Sequence, residues 1–315
     1  MIHWEDLILS LGSCFSEHMG EEMQLRKLKV RVNPFGILYH PAPLARALER
    51  MWEGEVIREE ELIKRDDLWH SWDFHGRFSA TSREWAMEQM NRSLLDGGKQ
   101  IRKARWLILT FGTARAFVWK ESGRPVANCH RFPGDHFHRK LFSVGEILDR
   151  LGPLLEKIKA GNPGLQVICT VSPVRHLRDG LVDNQESKAV LTLVSRELAR
   201  NLDFVQYFPS YELLLDDLRD YRFFEADGAH PSREAIDYIW ESFASAFFDQ
   251  EMRKKAEAIR QLKTRLAHRP LHPDAAPFRQ FLRKTLEQVK ALEQEFPDLD
   301  LSEEKEILKI RLASL

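Results

Sequence analysis

The chain has only three cysteines, Cys14, Cys129 and Cys169, in 315 residues. So small and odd a number builds no disulfide framework, and no CxxC or zinc-finger spacing occurs among them. Also missing is any apolar run long enough to span a bilayer. The first residues, Met1-Ile2-His3-Trp4-Glu5-Asp6, have neither the basic nor the apolar region of a signal peptide. Charge of one sign does not dominate: 47 Lys and Arg stand against 48 Asp and Glu. That balance gives no reason to expect nucleic acid or an anionic membrane as partner. No Gly-rich phosphate loop and no GxGxxG run is present, so nucleotide and dinucleotide cofactors are not expected. Together these absences describe a soluble protein of a reducing compartment, and the cytoplasm is the expected location.

Short apolar runs alternate with amphipathic stretches. Residues 7–11, 29–32, 106–111, 167–171 and 204–208 read as strands. Helices are expected over 16–27, 43–52, 82–97, 144–159, 187–202 and 232–248. Residues 58–76 read as irregular and aromatic, and 114–119 with 125–130 as a β-hairpin. This alternation predicts an α/β fold with a mainly parallel sheet covered on both faces. Beyond Asp249 no strand candidate remains, and helices are expected, broken around 268–277 and at Phe296-Pro297. The chain therefore divides into a domain over 1–248 and a helical C-terminal extension over 249–315. The domain carries an insertion at about 53–100 and a hairpin at about 114–130. The extension offers helices for packing on the sheet domain or for self-association into a homo-oligomer.

The most informative local feature is the break of the first strand into Gly12-Ser13-Cys14-Phe15, followed at once by helix-forming residues. Such a turn exposes a side chain, and the helix N-terminus offers free N–H groups and a positive dipole to an anion. Ser13 and Cys14 are both nucleophile candidates. A thiol at a helix N-terminus beside a histidine has its pKa lowered, whereas Ser13 is also suited to cap the helix. The plain alternative for Cys14 is a small buried apolar residue. Late in the domain, Asp227-Gly228-Ala229-His230 places a carboxylate and an imidazole three apart across a turn, a compact orienter and base. Acyl transfer further needs oxyanion donors, for which the strand-terminal Gly36 and Gly112 are candidates.

Histidines are frequent in loop-like segments, and Asp135-His136-Phe137-His138 raises the question of a metal. That spacing is looser than a structural zinc site requires, so no metal is expected. Trp69, His75 and His130 are instead candidates for walls of a substrate cleft, or for an insertion packed over a sheet edge. Arg175 and His176 follow a strand and should lie at its carboxyl end, where ligand sites of α/β sheets form.

Gly12-Ser13-Cys14-Phe15-Ser16 closely resembles the N-terminal motif of the GSCFA family, with Ser16 where the name has Ala. Further blocks resemble that family: Asn33-Pro34-Phe35-Gly36, Phe111-Gly112-Thr113-Ala114, Asn128-Cys129-His130, Ser172-Pro173-Val174-Arg175-His176 and Asp227 through Pro231. The resemblance covers about residues 7–245. It implies kinship with the SGNH, or GDSL-like, hydrolases and with it a flavodoxin-like three-layer α/β/α fold. It also implies an esterase or acyltransferase working on a small polar or carbohydrate ester. In the SGNH pattern Gly-Asp-Ser, a gapless match puts Cys14 at the nucleophile and Ser13 at the Asp. The second-block glycine falls on Gly36. The third block, Gly-x-Asn, falls on Gly112-Thr113-Ala114, which lacks the oxyanion Asn, leaving Thr113 or Asn128 as replacements. The final Asp-x-x-His is intact as Asp227 and His230. The missing Asn motivates the alternative of a non-catalytic ligand-binding module on the same scaffold.

Overall fold

The computed structural model describes residues 1–272 and 275–313. Pro273 and Asp274, inside the expected break around 268–277, and Ser314 and Leu315, at the end of the expected extension, lie outside the described residues. Five parallel strands form the central sheet: β1 (Ile8–Gly12), β2 (Val30–Val32), β3 (Trp106–Phe111), β4 (Gln166–Val171) and β5 (Val205–Phe208). Their spatial order is 2-1-3-4-5, the flavodoxin-like order, with its topological switch point between β1 and β3.

Burial on both faces explains why β1, β3 and β4 read as continuous apolar runs. Leu9, Leu107, Leu109 and Val167 point into one core with Leu48, Leu94, Leu151 and Leu191. Those four come from α2 (Pro41–Glu53), α3 (Arg83–Ile101), α4 (Val144–Gly161) and α5 (Leu181–Asn201), which follow α1 (Cys14–Leu25) in the chain. α3, α2, α4 and α5 pack side by side in that order. The second layer holds α1 and α6 (Arg233–Phe247). Arg233 of α6 is paired with Glu22 of α1, and Phe243 meets Phe208 of β5 edge-on at 5.3 Å. The result is a three-layer α/β/α sandwich.

Three segments differ from the sequence reading. Residues 58–76 contain an antiparallel hairpin, Leu62–Arg65 against Leu68–Ser71. Its turn residues Asp66 and Asp67 have φ of 47° and 60°, a conformation usually signalled by Asn-Gly, so the turn was not legible. The hairpin over 114–130 is present only in part. Arg115–Trp119 pairs with Arg124–Pro125 for two residues and along its full length with Phe137–Leu141, a polar strand not anticipated. The insertion over 53–100 ends in α3, which packs on α2 and β1 as part of the sandwich.

By its contacts the chain forms two compact units. The sandwich comprises Glu5–Glu22 and Lys29–Phe243. The other unit takes Ala244–Leu315 together with Met1–Trp4 and Met23–Leu28, whereas a cut at 248 divides the chain linearly. It holds α7 (Gln250–Ala267), α8 (Ala276–Glu295) and α9 (Ser302–Ala313) around a core that includes Ile259, Leu262, Val289 and Leu308. Glu304 is fully buried there and paired with Lys27 at 2.8 Å and Lys263 at 2.6 Å. Among the described residues no helix is long and apolar enough to cross a membrane.

Candidate active site

The first turn of α1 sorts the two nucleophile candidates. Gly12 ends β1 at a φ of 149° and lies so close to β3 that a Cβ would fall 2.1 Å from the Thr110 carbonyl oxygen. Its N–H donates to Asn33 Oδ1 at 2.9 Å, and Ser13 N–H donates to Thr110 O at 3.1 Å. Ser13 is thereby buried, and its Oγ accepts the Phe15 N–H at 3.3 Å. α1 begins at Cys14 itself, two residues earlier than expected. Cys14 opens onto a cavity of about 320 Å³ that Ser13 does not line. The cavity lies at the carboxyl ends of β1, β3 and β4, where the switch point places ligand sites.

His230 lines the same cavity. Its Nδ1 is 2.6 Å from Asp227 Oδ2, while Asp227 Oδ1 accepts the N–H groups of Ala229 at 2.8 Å and His230 at 3.0 Å. Those two N–H groups, His230's first, together with the His230 ring, hold the Asp227 carboxyl down to about 2. The carboxylate therefore fixes the Nδ1–H tautomer and leaves Nε2 to act. Burial raises the Cys14 thiol above its ordinary pKa, against the pull of the Phe15 and Cys14 N–H groups and of Lys188. The lowered thiol pKa expected from the helix terminus is thus overturned, because desolvation outweighs the dipole and the nearby charge.

The expected oxyanion donors are largely engaged. Gly36 N–H donates to Asn33 O at 2.8 Å, and Gly112 and Thr113 N–H both donate to Tyr39 O, at 2.7 and 3.0 Å. Gly36 serves a different need: at a φ of 78°, a Cβ would fall 2.2 Å from His75 Cβ. Thr113 lines the cavity, but its Oγ1 accepts the Arg115 N–H and lies 3.0 Å from Ser187 Oγ. Asn128 lines a separate cavity and accepts the His130 N–H at 2.8 Å. In the first turn of α1 the Phe15 N–H goes to Ser13 Oγ and the Ser16 N–H to Ser13 O at 2.9 Å, which leaves the Cys14 N–H as the donor at the helix terminus.

Arg175 and His176 do line the Cys14 cavity. Arg175 N–H donates to Ala229 O at 3.0 Å, and its guanidinium lies 4.0 Å over the Phe224 ring, so it also braces the Asp227–His230 turn. Burial first, then the Lys188 charge, push His176 down to about 4. Trp69, His75 and His130 lie elsewhere. Trp69 pairs with Ala80 and is flanked by Arg83. His75 Nδ1 accepts the Arg77 N–H at 3.3 Å. His130 is buried, bonded to Ser71 O at 2.8 Å and packed at a tilt against the His70 ring, 4.4 Å between centroids, and it lines the separate cavity with Asn128. Among the described residues no group of three or more His, Cys, Asp or Glu side chains is placed to hold a metal ion.

The sequence reading missed Lys188, Tyr39, Arg139 and Arg178. Lys188 is fully buried and donates to Gly112 O and Ser172 O, both at 2.7 Å, tying the ends of β3 and β4 together beneath the site. Burial pushes its ammonium down to about 7, opposed by the charge of Cys14. Its signal was its place in the buried stripe Asn184, Ser187, Lys188, Leu191, Val194, Ser195 of α5, a lysine at core spacing.

The fold and this site define an α/β protein of flavodoxin-like topology with a cysteine and a histidine–aspartate pair at the switch-point cavity. A model described as the GSCFA family matches residues 7–243, and one described as GSCFA domain protein, C-terminal domain, matches residues 259–314. The chain belongs to the GSCFA family. No curated protein matches it.

Proposed function

We propose that this protein is an acyl-ester hydrolase or O-acyltransferase of SGNH type that forms a covalent acyl intermediate on Cys14. The observation that carries the reading is that Cys14, first residue of α1, and His230, bonded to Asp227, line one cavity. In the first half-reaction the Cys14 sulfur bonds to the ester carbonyl carbon while its proton passes to His230 Nε2. The acyl C–O bond then breaks, and the leaving alkoxide takes that proton. Water or an acceptor hydroxyl next attacks the thioester carbonyl, giving its proton to His230, and the departing sulfur receives it. Asp227 holds the ring and favours the transient imidazolium. A thiol with a raised pKa needs this coupled proton transfer, because little thiolate is present beforehand. The Cys14 N–H, at the start of α1, supplies an oxyanion donor. A cavity of about 320 Å³ suits a small polar or carbohydrate ester. The unpaired cysteines fit a reducing compartment such as the cytoplasm.

Turnover of short-chain aryl esters and thioesters by Cys14→Ala, Ser13→Ala and His230→Ala proteins tests the proposal. Removing Cys14 or His230 is expected to cost roughly 10²–10⁴-fold in kcat/KM, while Ser13→Ala retains turnover. Undiminished activity without Cys14 would sink it. The engaged N–H groups of Gly36 and Gly112 favour a second reading, a ligand-binding module that performs no chemistry. That module would show no turnover and no acyl adduct, with ligand binding retained in His230→Ala.

A further inference from the structure

The cavity that holds Cys14 and His230 is lined by four arginines, Arg115, Arg139, Arg175 and Arg178, and by a single carboxylate, Asp179. In a chain whose opposite charges nearly cancel, this is a local positive excess inside a concave site. Two of the four are already answered. Arg139 makes a two-armed pair with Asp179, one arm at 2.8 Å, and Arg115 pairs with Glu186 at 2.6 Å and Asp183 at 3.3 Å. Asp227, close by, is taken up by His230 and two N–H groups.

Arg175 and Arg178 have no carboxylate within ion-pair distance among the described residues. Arg175 is oriented by its stacking on Phe224 at 4.0 Å and Tyr221 at 5.5 Å, with one longer bond of 3.4 Å to Gly228 O. Arg178 lies 5.8 Å over the Phe117 ring. A guanidinium held over an aromatic face keeps its N–H fork free in plane, the arrangement that grips a carboxylate or phosphate.

We infer that the compound bound here is anionic: the acyl substrate or its acceptor carries a carboxylate or phosphate held by Arg178, with Arg175 beside it. This deepens the acyl-transfer reading and rests on it. The charged group anchors the compound at the rim while its ester or hydroxyl reaches Cys14, so remote binding energy orients the reacting bond.

Isothermal titration of the full-length protein with succinate, inorganic phosphate and the neutral dimethyl succinate tests the inference. At least one oxyanion is expected to bind roughly tenfold or more tightly than the neutral diester. Arg178→Gln should lose about that factor, Arg178→Lys should keep part of it, and Arg92→Gln, on the exposed face of α3, should lose none. Preference for succinate assigns a carboxylate and preference for phosphate a phosphate ester. Equal binding of dimethyl succinate and both anions, or wild-type binding by Arg178→Gln, would overturn the inference. Because the readout is binding, an inert protein that still selects anions through Arg178 would overturn acyl transfer while leaving the anion site standing. An active one that prefers neutral esters would do the reverse.

Discussion

A thiol and a hydroxyl stand side by side in the turn 12–15, and the backbone treats them differently. Ser13 Oγ faces inward to accept the Phe15 N–H, while Cys14 faces the cavity. Ser13→Ala should therefore lower stability by about 1 kcal/mol, the usual worth of such a cap, and leave turnover in place. Thermal unfolding and an ester assay on the same preparation separate the two effects. Lys188 ties Gly112 O to Ser172 O beneath Cys14. With a folded pKa of about 7 it is already neutral where the raised Cys14 thiol ionises. Lys188→Met should therefore lower the urea midpoint without moving the pH profile of Cys14 alkylation by iodoacetamide.

At the scale of elements, the strand-to-helix turn depends on a residue without a side chain at position 12. Gly12→Ala puts a Cβ against the Thr110 carbonyl at a positive φ and should cost about 3 kcal/mol or more, read as a drop in the urea midpoint. In the helical unit, Glu304→Ala leaves Lys27 and Lys263 facing a buried gap and should cost about 3 kcal/mol. Faster hydrogen exchange across α9 is the matching signature. Elements set by local pattern were legible in advance. Residues 106–111 match β3 from end to end, because a strand buried on both faces writes itself as an apolar run. The Gly12-Ser13-Cys14 turn and the Asp227–His230 pair were legible for the same reason, each lying within a few residues of sequence. What the sequence hid depends on tertiary placement. Arg139 and Arg178 look like surface charges until the strand Phe137–Leu141 and the turn before α5 bring them to one cavity. Trp69, His75 and His130, grouped in sequence by their chemistry, fall outside it: Trp69 and His130 at the Leu62–Ser71 hairpin, His75 against Gly36 and Arg77.

Across the whole molecule, buried neutral histidines tie stability to pH. Burial pushes His40 down to about 3, and His130 and His176 to about 4. Each regains a pKa near 6.5 on unfolding, so the unfolded chain binds more protons in that window. The stability linked to these groups is complete above about pH 6.5 and is lost as the pH falls toward 4. The urea midpoint should decline over that range, and His130→Asn should flatten the decline by on the order of 3 kcal/mol. Lys188 carries the same sign at higher pH. Its folded pKa of about 7 lies below the ordinary 10.5, so its share falls away as the pH drops from above 10 to 7. These terms act within the sandwich, whose switch-point cavity gathers Cys14, His230 and the arginines from segments far apart in the chain.

Catching the acyl group on the protein tests most directly whether Cys14 is the nucleophile. A reaction with p-nitrophenyl acetate, quenched in acid, is followed by intact-mass and peptide mass spectrometry. One acetyl group on the peptide containing Cys14, released by hydroxylamine and missing in Cys14→Ala, is the expected result. An acetyl group on Ser13, or full turnover by Cys14→Ala, would contradict it.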